Sequence, residues 1–451
     1  MEPKIDSLEC SALKQDLQPL QGTRDFYPSD FSRRKWLFDK WRTIANQYSY
    51  QEYDAPIVEK ASLWKTKVGN DTDILKEMYT FKLRDSEPEM CLRPEITPSL
   101  ARMIASRKDL PLPLRWFSIP QCWRYESTTK GRKREFYQWN VDFLGISGSE
   151  AELELLVMIV DFFQGVGLKP GQVVIKISDR LVLEVILNNL GISEDVFAIV
   201  FNLIDKFNKL EKEELTELFI TKTGISVEQI SQLYQILESR DFSALESIEP
   251  NINEGVLTNL QSIFSGATQL GLDAWLELDL TIVRGLTYYT KTVFEAYFQD
   301  TEQRRAILGG GRYDNLLTQY GESPTPAVGF AMGDVVMMLG LEELGLIPVQ
   351  ELKQEPNYLV IPFNESLRAD AMIVARTLRE KIPGLVVETY LGKCRLKNAL
   401  DYANKIGVPY SIMIFPDEWI QGKITVKGML PNDKCQQTYN LKEYINHLIY
   451  I

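Results

Sequence analysis

Six side chains at every second position define the chemistry available to this chain: Arg124 and Glu126 on one run, and Phe136, Gln138, Asn140 and Asp142 on the next. They belong to residues 114–145, LRWFSIPQCWRYESTTKGRKREFYQWNVDFLG, in which two aromatic-rich runs flank the polar segment TTKGRK. Runs of this kind around a glycine-containing turn predict a β-hairpin. Strand side chains alternate faces, so Arg124 and Glu126 share one face of the first run, and the other four share one face of the second. That surface carries a cation, two acids, two amides and a ring. A solvated sheet face could have the same composition. The basic loop Lys130, Arg132, Lys133 and Arg134 favours a floor over which cations close on an anionic ligand.

Further candidates lie elsewhere. Arg284 falls within the otherwise apolar, strand-like WLELDLTIVRGLTYYTKTVFEAYF and needs an anion there, either a ligand or a structural acid. Glu95 and Thr97 stand beside two prolines at the start of a helix, as caps or as a fixed carboxylate for an ammonium group. The GGGRYD segment, residues 309–314, has neither Rossmann nor Walker spacing and is expected to form a tight turn into a helix. The small residues of VGFAMG, 328–333, would let a strand pack closely on a helix and let backbone approach a ligand.

The elements that must position these groups follow from pattern and length. A chain of 451 residues supports two or three domains. A polar turn leads into a helix carrying Trp36, Leu37, Trp41 and Ile44, and an extended run is broken at Pro56. Residues 181–271 are predominantly helical, with Ser226 and Gln229 spaced as a capping box before the stripe Val227, Ile230, Leu233, Tyr234 and Leu237. A linker near 349–356 precedes alternating strands and helices, which predict a small α/β domain with a mostly parallel sheet. There Lys393, Arg395, Lys397 and Glu418 read as surface charges.

Composition sets limits. The formal net charge of -12 means that any nucleic-acid contact must use local basic patches. Five cysteines, at 10, 91, 122, 394 and 435, lack CxxC spacing, which suggests a reducing compartment and no structural zinc. The mixed-charge start lacks signal or transit features and no long apolar run occurs, so a cytoplasmic protein with no membrane span and a flexible N-terminus over 1–18 is expected. The single histidine, His447, argues against histidine-based catalysis or metal binding.

Taken together, the motifs resemble those of the class II aminoacyl-tRNA synthetases, and of the histidyl-tRNA synthetase family in particular, from QGTRDFYP nearly to the C-terminus. YDAPI (53–57) resembles the first class motif, at the dimer interface, and the hairpin resembles the second. VRGLTYYT (283–290) resembles the histidine-recognition signature, and GGGRYD and a final anticodon-binding-like domain follow in the family's order. QWNVDFLG, VRGLTYYT and GFAMGD are similar to the plant-organelle and cyanobacterial branch.

The resemblance implies an α+β catalytic domain over 19–348, with an antiparallel sheet and a helical insertion at about 181–271, and an α/β anticodon-binding domain over 356–451. It implies ATP-dependent activation of L-histidine, transfer to tRNA(His), Mg2+ with the nucleotide, and a homodimer. Arg124, Glu126, Phe136, Arg132 and Arg134 would serve ATP, while Lys130, Lys393, Arg395 and Glu418 would serve tRNA. Glu95, Thr97, Gln138, Asp142, Tyr288 and Tyr289 would bind histidine, with Arg284 between its carboxylate and the α-phosphate. Three departures stand out. The arginine that usually contacts the γ-phosphate is replaced by Val336, for which Arg312 is a candidate substitute. Thr287 stands where many relatives have aspartate, and Ser127, Thr128 and Thr129 replace a common ArgProGln. A non-catalytic paralogue that regulates histidine biosynthesis is the alternative.

Overall fold

The computed structural model describes residues 17–65, 73–107, 109–248, 254–284, 288–348, 356–430, 432–433 and 435–449. Thr287, Cys10, most of the N-terminal stretch and most of the linker lie outside them. The chain divides into two compact units, Met1–Val349 and Gln350–Ile451.

Unit one is built on β1 (Gln51–Glu52), β2 (Val58–Lys60), β3 (Thr80–Phe81), β4 (Met90–Leu92), β5 (Leu114–Ser118), β6 (Gln121–Trp123), β7 (Glu135–Leu144), β8 (Val173–Asp179), β9 (Leu276–Leu278), β10 (Thr292–Phe298), β11 (Leu308–Arg312) and β12 (Ala327–Gly333). The main sheet runs β1-β5-β7-β12-β11-β10-β8-β9, with β6 also paired to β7, and β2-β4-β3 form a small second sheet. Only the β1–β5 and β8–β9 pairings of the main sheet are parallel. Between β8 and β9 the described chain is helical from Arg180 to Gln269, and both halves of the Ser226–Gln229 capping box form. Ile230, Leu233, Tyr234 and Leu237 are buried there, whereas Val227, in the first turn, is exposed.

The sheet has an apolar face and a polar face because β7 alternates from Tyr137 to Phe143. Trp139, Val141 and Phe143 are buried in the main core. Trp139 stacks on Trp41 of the helix Pro28–Gln47 and tilts against Phe162 of the helix Glu150–Gly165. Rings of this size dominate the burial that fixes the register of a strand, since a slip of one residue would turn all three into the polar cavity. Phe136, Gln138, Asn140 and Asp142 therefore point the other way.

Three expectations are corrected. Residues 309–311 do not turn into a helix: the glycines lie within β11, in the middle of the sheet. A Cβ on Gly310 would stand 2.4 Å from the Gly329 carbonyl oxygen, so close approach of neighbouring strands and side chains is what requires glycine. Arg284 is not in a strand, because β9 ends at Leu278 and the Asp279 carboxylate accepts a hydrogen bond from the Thr281 backbone N–H at 3.0 Å, bending the chain away. Arg312 does not face the polar cavity. It is 1 % exposed, paired in two places with Glu152, and donates to the carbonyls of Ile146 and Gly148 at 2.9 Å each. With its donors committed and its partner buried, Arg312 holds the helix Glu150–Gly165 to the sheet.

Unit two comprises β13 (Tyr358–Pro362), β14 (Val387–Thr389), β15 (Tyr410–Ile414), β16 (Lys423–Gly428) and β17 (Gln436–Asn440), in the order β14-β13-β15-β16-β17. The first three are parallel, as expected, but β16 and β17 are antiparallel. The connection from Ile414 to Lys423 holds only the short helix Pro416–Trp419, too little chain for a parallel crossover.

Candidate active site

A cavity of about 490 Å³ opens on the polar face of the main sheet. Its floor is β7 and β12: Gln138 lies opposite Gly333, Asn140 opposite Ala331 and Asp142 opposite Gly329. Small residues on β12 keep this floor open. A Cβ on Gly329 would stand 2.5 Å from Asp142 Oδ1 and 3.0 Å from the Tyr313 hydroxyl, so glycine makes room for the bond between those two groups.

One end of the cavity is acidic and aromatic. Asp142 is buried and accepts a hydrogen bond from the Tyr313 hydroxyl on Oδ1, while Oδ2 has no partner. Burial pushes its carboxyl up to about 7, against the opposing pull of the Tyr313 bond. Glu95 is also buried, with Oε1 unpartnered; burial raises its pKa, while Arg124 and Arg284 pull it down. Neither Glu95 nor Thr97 caps the helix Thr97–Ala105, whose N-cap is Ile96 without a side-chain bond. Two carboxylates with free buried oxygens are costly in an empty protein, and the cost points to a ligand that donates hydrogen bonds to both. Tyr288 and Tyr289 line the same end, their rings 4.8 Å apart.

The other end is cationic. Arg124 follows β6, donates Nε–H to the Pro94 carbonyl at 3.0 Å and lies 5.3 Å from the Phe136 ring centroid. Its Nη1 is 3.9 Å from Glu126, which is also paired with Arg132. Lys133 and Arg305 complete the lining.

Arg284 stands with both groups. Its φ of 54° is left-handed, which costs a non-glycine residue about 1–2 kcal/mol and persists only where surrounding structure enforces it. Glu295 on β10 accepts from its Nη1 at 2.6 Å, Tyr297 donates to the same carboxylate, and Nε has no partner. A Cβ on Gly309 would stand 1.9 Å from Nη1, so the first glycine of GGGRYD is the slot in which this guanidinium lies.

Of the expected site residues, Glu95, Thr97, Arg124, Glu126, Arg132, Phe136, Gln138, Asp142, Arg284, Tyr288 and Tyr289 all line one cavity. Arg134 and Lys130 do not. Arg134 lies over the Tyr125 ring and donates to the carbonyls of Glu126 and Gln21, and exposed Lys130 pairs with Glu343 at 3.2 Å. In unit two Lys393 and Arg395 are exposed, whereas Glu418 accepts from Thr425 at 2.6 Å and Thr438 at 3.4 Å. Sequence reasoning missed Tyr313, Arg305 and Asp334. Asp334 accepts from the Tyr137 backbone N–H at 2.8 Å and pairs with Arg24, which also holds Glu135 at 2.7 Å. QGTRD thus clamps the start of β7 to the helix Asp334–Glu343.

Residues 22–334 match the family model described as Histidyl-tRNA synthetase, and residues 357–449 match that of an Anticodon binding domain. The chain is 39 % identical over 424 residues to the chloroplastic/mitochondrial histidine–tRNA ligase of Arabidopsis thaliana, covering 94 % of this chain and 85 % of the relative. It is 34 % identical to the histidine–tRNA ligase of Pyrococcus abyssi, over 92 % of this chain and 94 % of that one. Among solved structures, histidyl-tRNA synthetase from Nostoc sp. PCC 7120 shares the fold with a TM-score of 0.77 at 24 % identity, over 96 % of this chain and 99 % of that one. A Bacillus halodurans structure titled ATP phosphoribosyltransferase regulatory subunit/histidyl-tRNA synthetase shares the fold at TM-score 0.68 and 21 % identity, over 86 % of this chain and 96 % of that one. With the site's two halves on one sheet and relatives aligned over nearly the whole chain, this protein is a member of the histidyl-tRNA synthetase family.

Proposed function

We infer that this chain is a histidine–tRNA ligase. In the first step the histidine carboxylate attacks the α-phosphorus of ATP, forming a mixed anhydride and releasing pyrophosphate. In the second, a terminal ribose hydroxyl of tRNA(His) attacks the carbonyl carbon and AMP leaves. The observation that carries the reading is the pairing, in one cavity, of two buried carboxylates with unpartnered oxygens and a bank of arginines.

Within that reading the roles divide by charge. Glu95, with Thr97 and Gln138, takes the ammonium of histidine, and Asp142 takes an imidazole N–H, with Tyr288 and Tyr289 as walls. Phe136 stacks on adenine, Glu126 accepts from its amino group, and Arg124 and Arg132 bind phosphate oxygens. Arg284 bridges the amino-acid carboxylate and the α-phosphate, so it orients the nucleophile and offsets the charge that builds on phosphorus. The nucleophile is already ionised, so no general base is needed for the first step. Magnesium would enter with the triphosphate: among the described residues no group of three or more His, Cys, Asp or Glu is placed to hold a metal ion.

Lys130 in the hairpin loop of the first unit is one proposed tRNA contact, and Lys393, Arg395 and Glu418 in the second unit are proposed as a separate one. Glu418 would have to exchange its bonds to Thr425 and Thr438 for one to a base. A homodimer is part of the proposal, supported by exposed Ile57 and Val58 at the start of β2, an edge strand of the small sheet; a purely monomeric sedimentation profile would remove it. The free cysteines among the described residues support a reducing compartment such as the cytoplasm. No helix among the described residues is long and apolar enough to cross a membrane.

Charging is the test. Purified protein with ATP, magnesium and labelled histidine should place label on a tRNA(His) transcript in an acid-precipitable, base-labile ester. Folded protein that leaves the transcript unlabelled would favour the regulatory alternative.

A further inference from the structure

The cationic end of the cavity holds more positive charge than the roles above use. Arg124, Arg132, Lys133 and Arg305 line it, and the carboxylate paired there is Glu126, shared by Arg132 and Arg124. Among the described residues neither Lys133 nor Arg305 makes a hydrogen bond or ion pair, although each is half-buried. Burial disfavours the charged form of Arg305, and repulsion from Arg132 adds to this, with Glu126 opposing. Two neighbouring guanidiniums with one carboxylate between them form an unbalanced site that a polyanion would complete.

The backbone holds Arg305 in this place. Two residues on, the Ile307 N–H donates to the Ala296 carbonyl at 2.7 Å and the Ile307 carbonyl accepts from the Gly333 N–H at 3.1 Å, so the segment enters the sheet just after Arg305. The hairpin loop passes against it at Gly131. A Cβ built there would meet Arg305 Cδ at 3.4 Å and Val336 Cγ2 at 3.8 Å. Arg305 and Val336 therefore flank the same point of the loop, with Arg305 in the irregular segment that leads into β11.

We propose that Arg305 is a further ligand of the nucleotide, which takes the pyrophosphate portion beside Arg132 on the far side of Gly131. The residue acts on the leaving group: it binds the β- and γ-phosphates in the substrate and the pyrophosphate once the bond to the α-phosphorus has broken. The assignment rests on the ligase reading for its substrate, but its charge and geometry are those of a polyphosphate site in any case.

Arg305→Gln keeps the size and polarity of a half-buried side chain and removes the charge. In ATP–pyrophosphate exchange it should raise KM for ATP by about tenfold, the effect of losing one charge-assisted contact, with KM for histidine within about twofold. Arg305→Lys should recover part of the loss. Calorimetric titration with inorganic pyrophosphate and magnesium should show a matching loss of affinity, whereas AMP should bind both proteins alike. Equal pyrophosphate affinity in wild type and variant overturns the proposal, as does a parallel loss of AMP and pyrophosphate binding. The titration needs no turnover, so wild-type protein that binds pyrophosphate through Arg305 but shows no exchange would contradict the ligase reading alone.

Discussion

Arg284→Ala is expected to reduce histidine-dependent ATP–pyrophosphate exchange by about 10²–10³-fold, the scale seen when one preorganised donor to a developing charge is removed. The loss should fall on kcat, with histidine and ATP still bound, because the proposed roles leave each its own contacts: Glu95 and Asp142 for one, Arg124 and Phe136 for the other. Arg284→Lys should recover little. A lysine offers a point charge where the proposed role needs a planar fork touching two anions at once. The residue's left-handed backbone and the absence of a Cβ at Gly309 both serve this one placement, so Gly309→Ala should reproduce much of the defect by displacing the guanidinium. A thermal midpoint close to wild type would separate the catalytic effect from a folding defect. Near-normal exchange in Arg284→Ala would remove the residue from the reaction.

The second large effect concerns Asp142. Asp142→Ala should raise KM for histidine on the order of 10²-fold while changing KM for ATP by no more than about threefold, because the buried ring N–H would then lose its carboxylate acceptor. Tyr313→Phe should weaken histidine in the same direction but less. The pH dependence carries a sign that can be checked. Burial raises the Asp142 carboxyl from its ordinary value near 3.8 to about 7, so the empty folded protein holds a proton that the unfolded chain has already lost. Its contribution to stability is present below about pH 4 and declines as pH rises through about 7. Binding runs the other way, because protonation puts a donor on the free Oδ2, whereas the ionised carboxylate offers the imidazole N–H a strong acceptor there. The value of kcat/KM for histidine should therefore rise through about pH 7, and Asp142→Asn should lack that inflection and keep only the titration of the substrate itself. Equal losses toward histidine and ATP in Asp142→Ala would refute the imidazole role.

Much of the site was legible because its signals are local. Face alternation along Phe136, Gln138, Asn140 and Asp142 needs no knowledge of the fold, only of strand geometry, and the large rings at 139 and 143 fix which face is which. Arg284 stood out as a charge among apolar neighbours. The groups that escaped notice depend on pairing between distant segments. Gly309 looks like a turn residue until β11 is placed beside β10 and β12, and only then does it become the slot for a side chain 25 positions earlier. Tyr313 touches Asp142 across 171 positions, and nothing near either residue announces the contact. The same gap produced the Arg312 error: Arg305 precedes β11 and Arg312 ends it, and pairing with Glu152 turns the second into structure. Arg305, the second of two consecutive arginines that follow DTEQ, carries no local hint of a cavity.

Histidine-dependent ATP–pyrophosphate exchange, run on the wild-type protein with each of the twenty amino acids in turn, tests the whole arrangement most directly. It requires the acidic and cationic ends of the cavity to act together, and it reports the identity of the amino acid without any contribution from tRNA. Exchange with histidine at least about 10³-fold above every other amino acid is the predicted result, the discrimination expected of a buried polar pocket. Folded protein that gives no exchange with histidine, or gives as much with another amino acid, would contradict it.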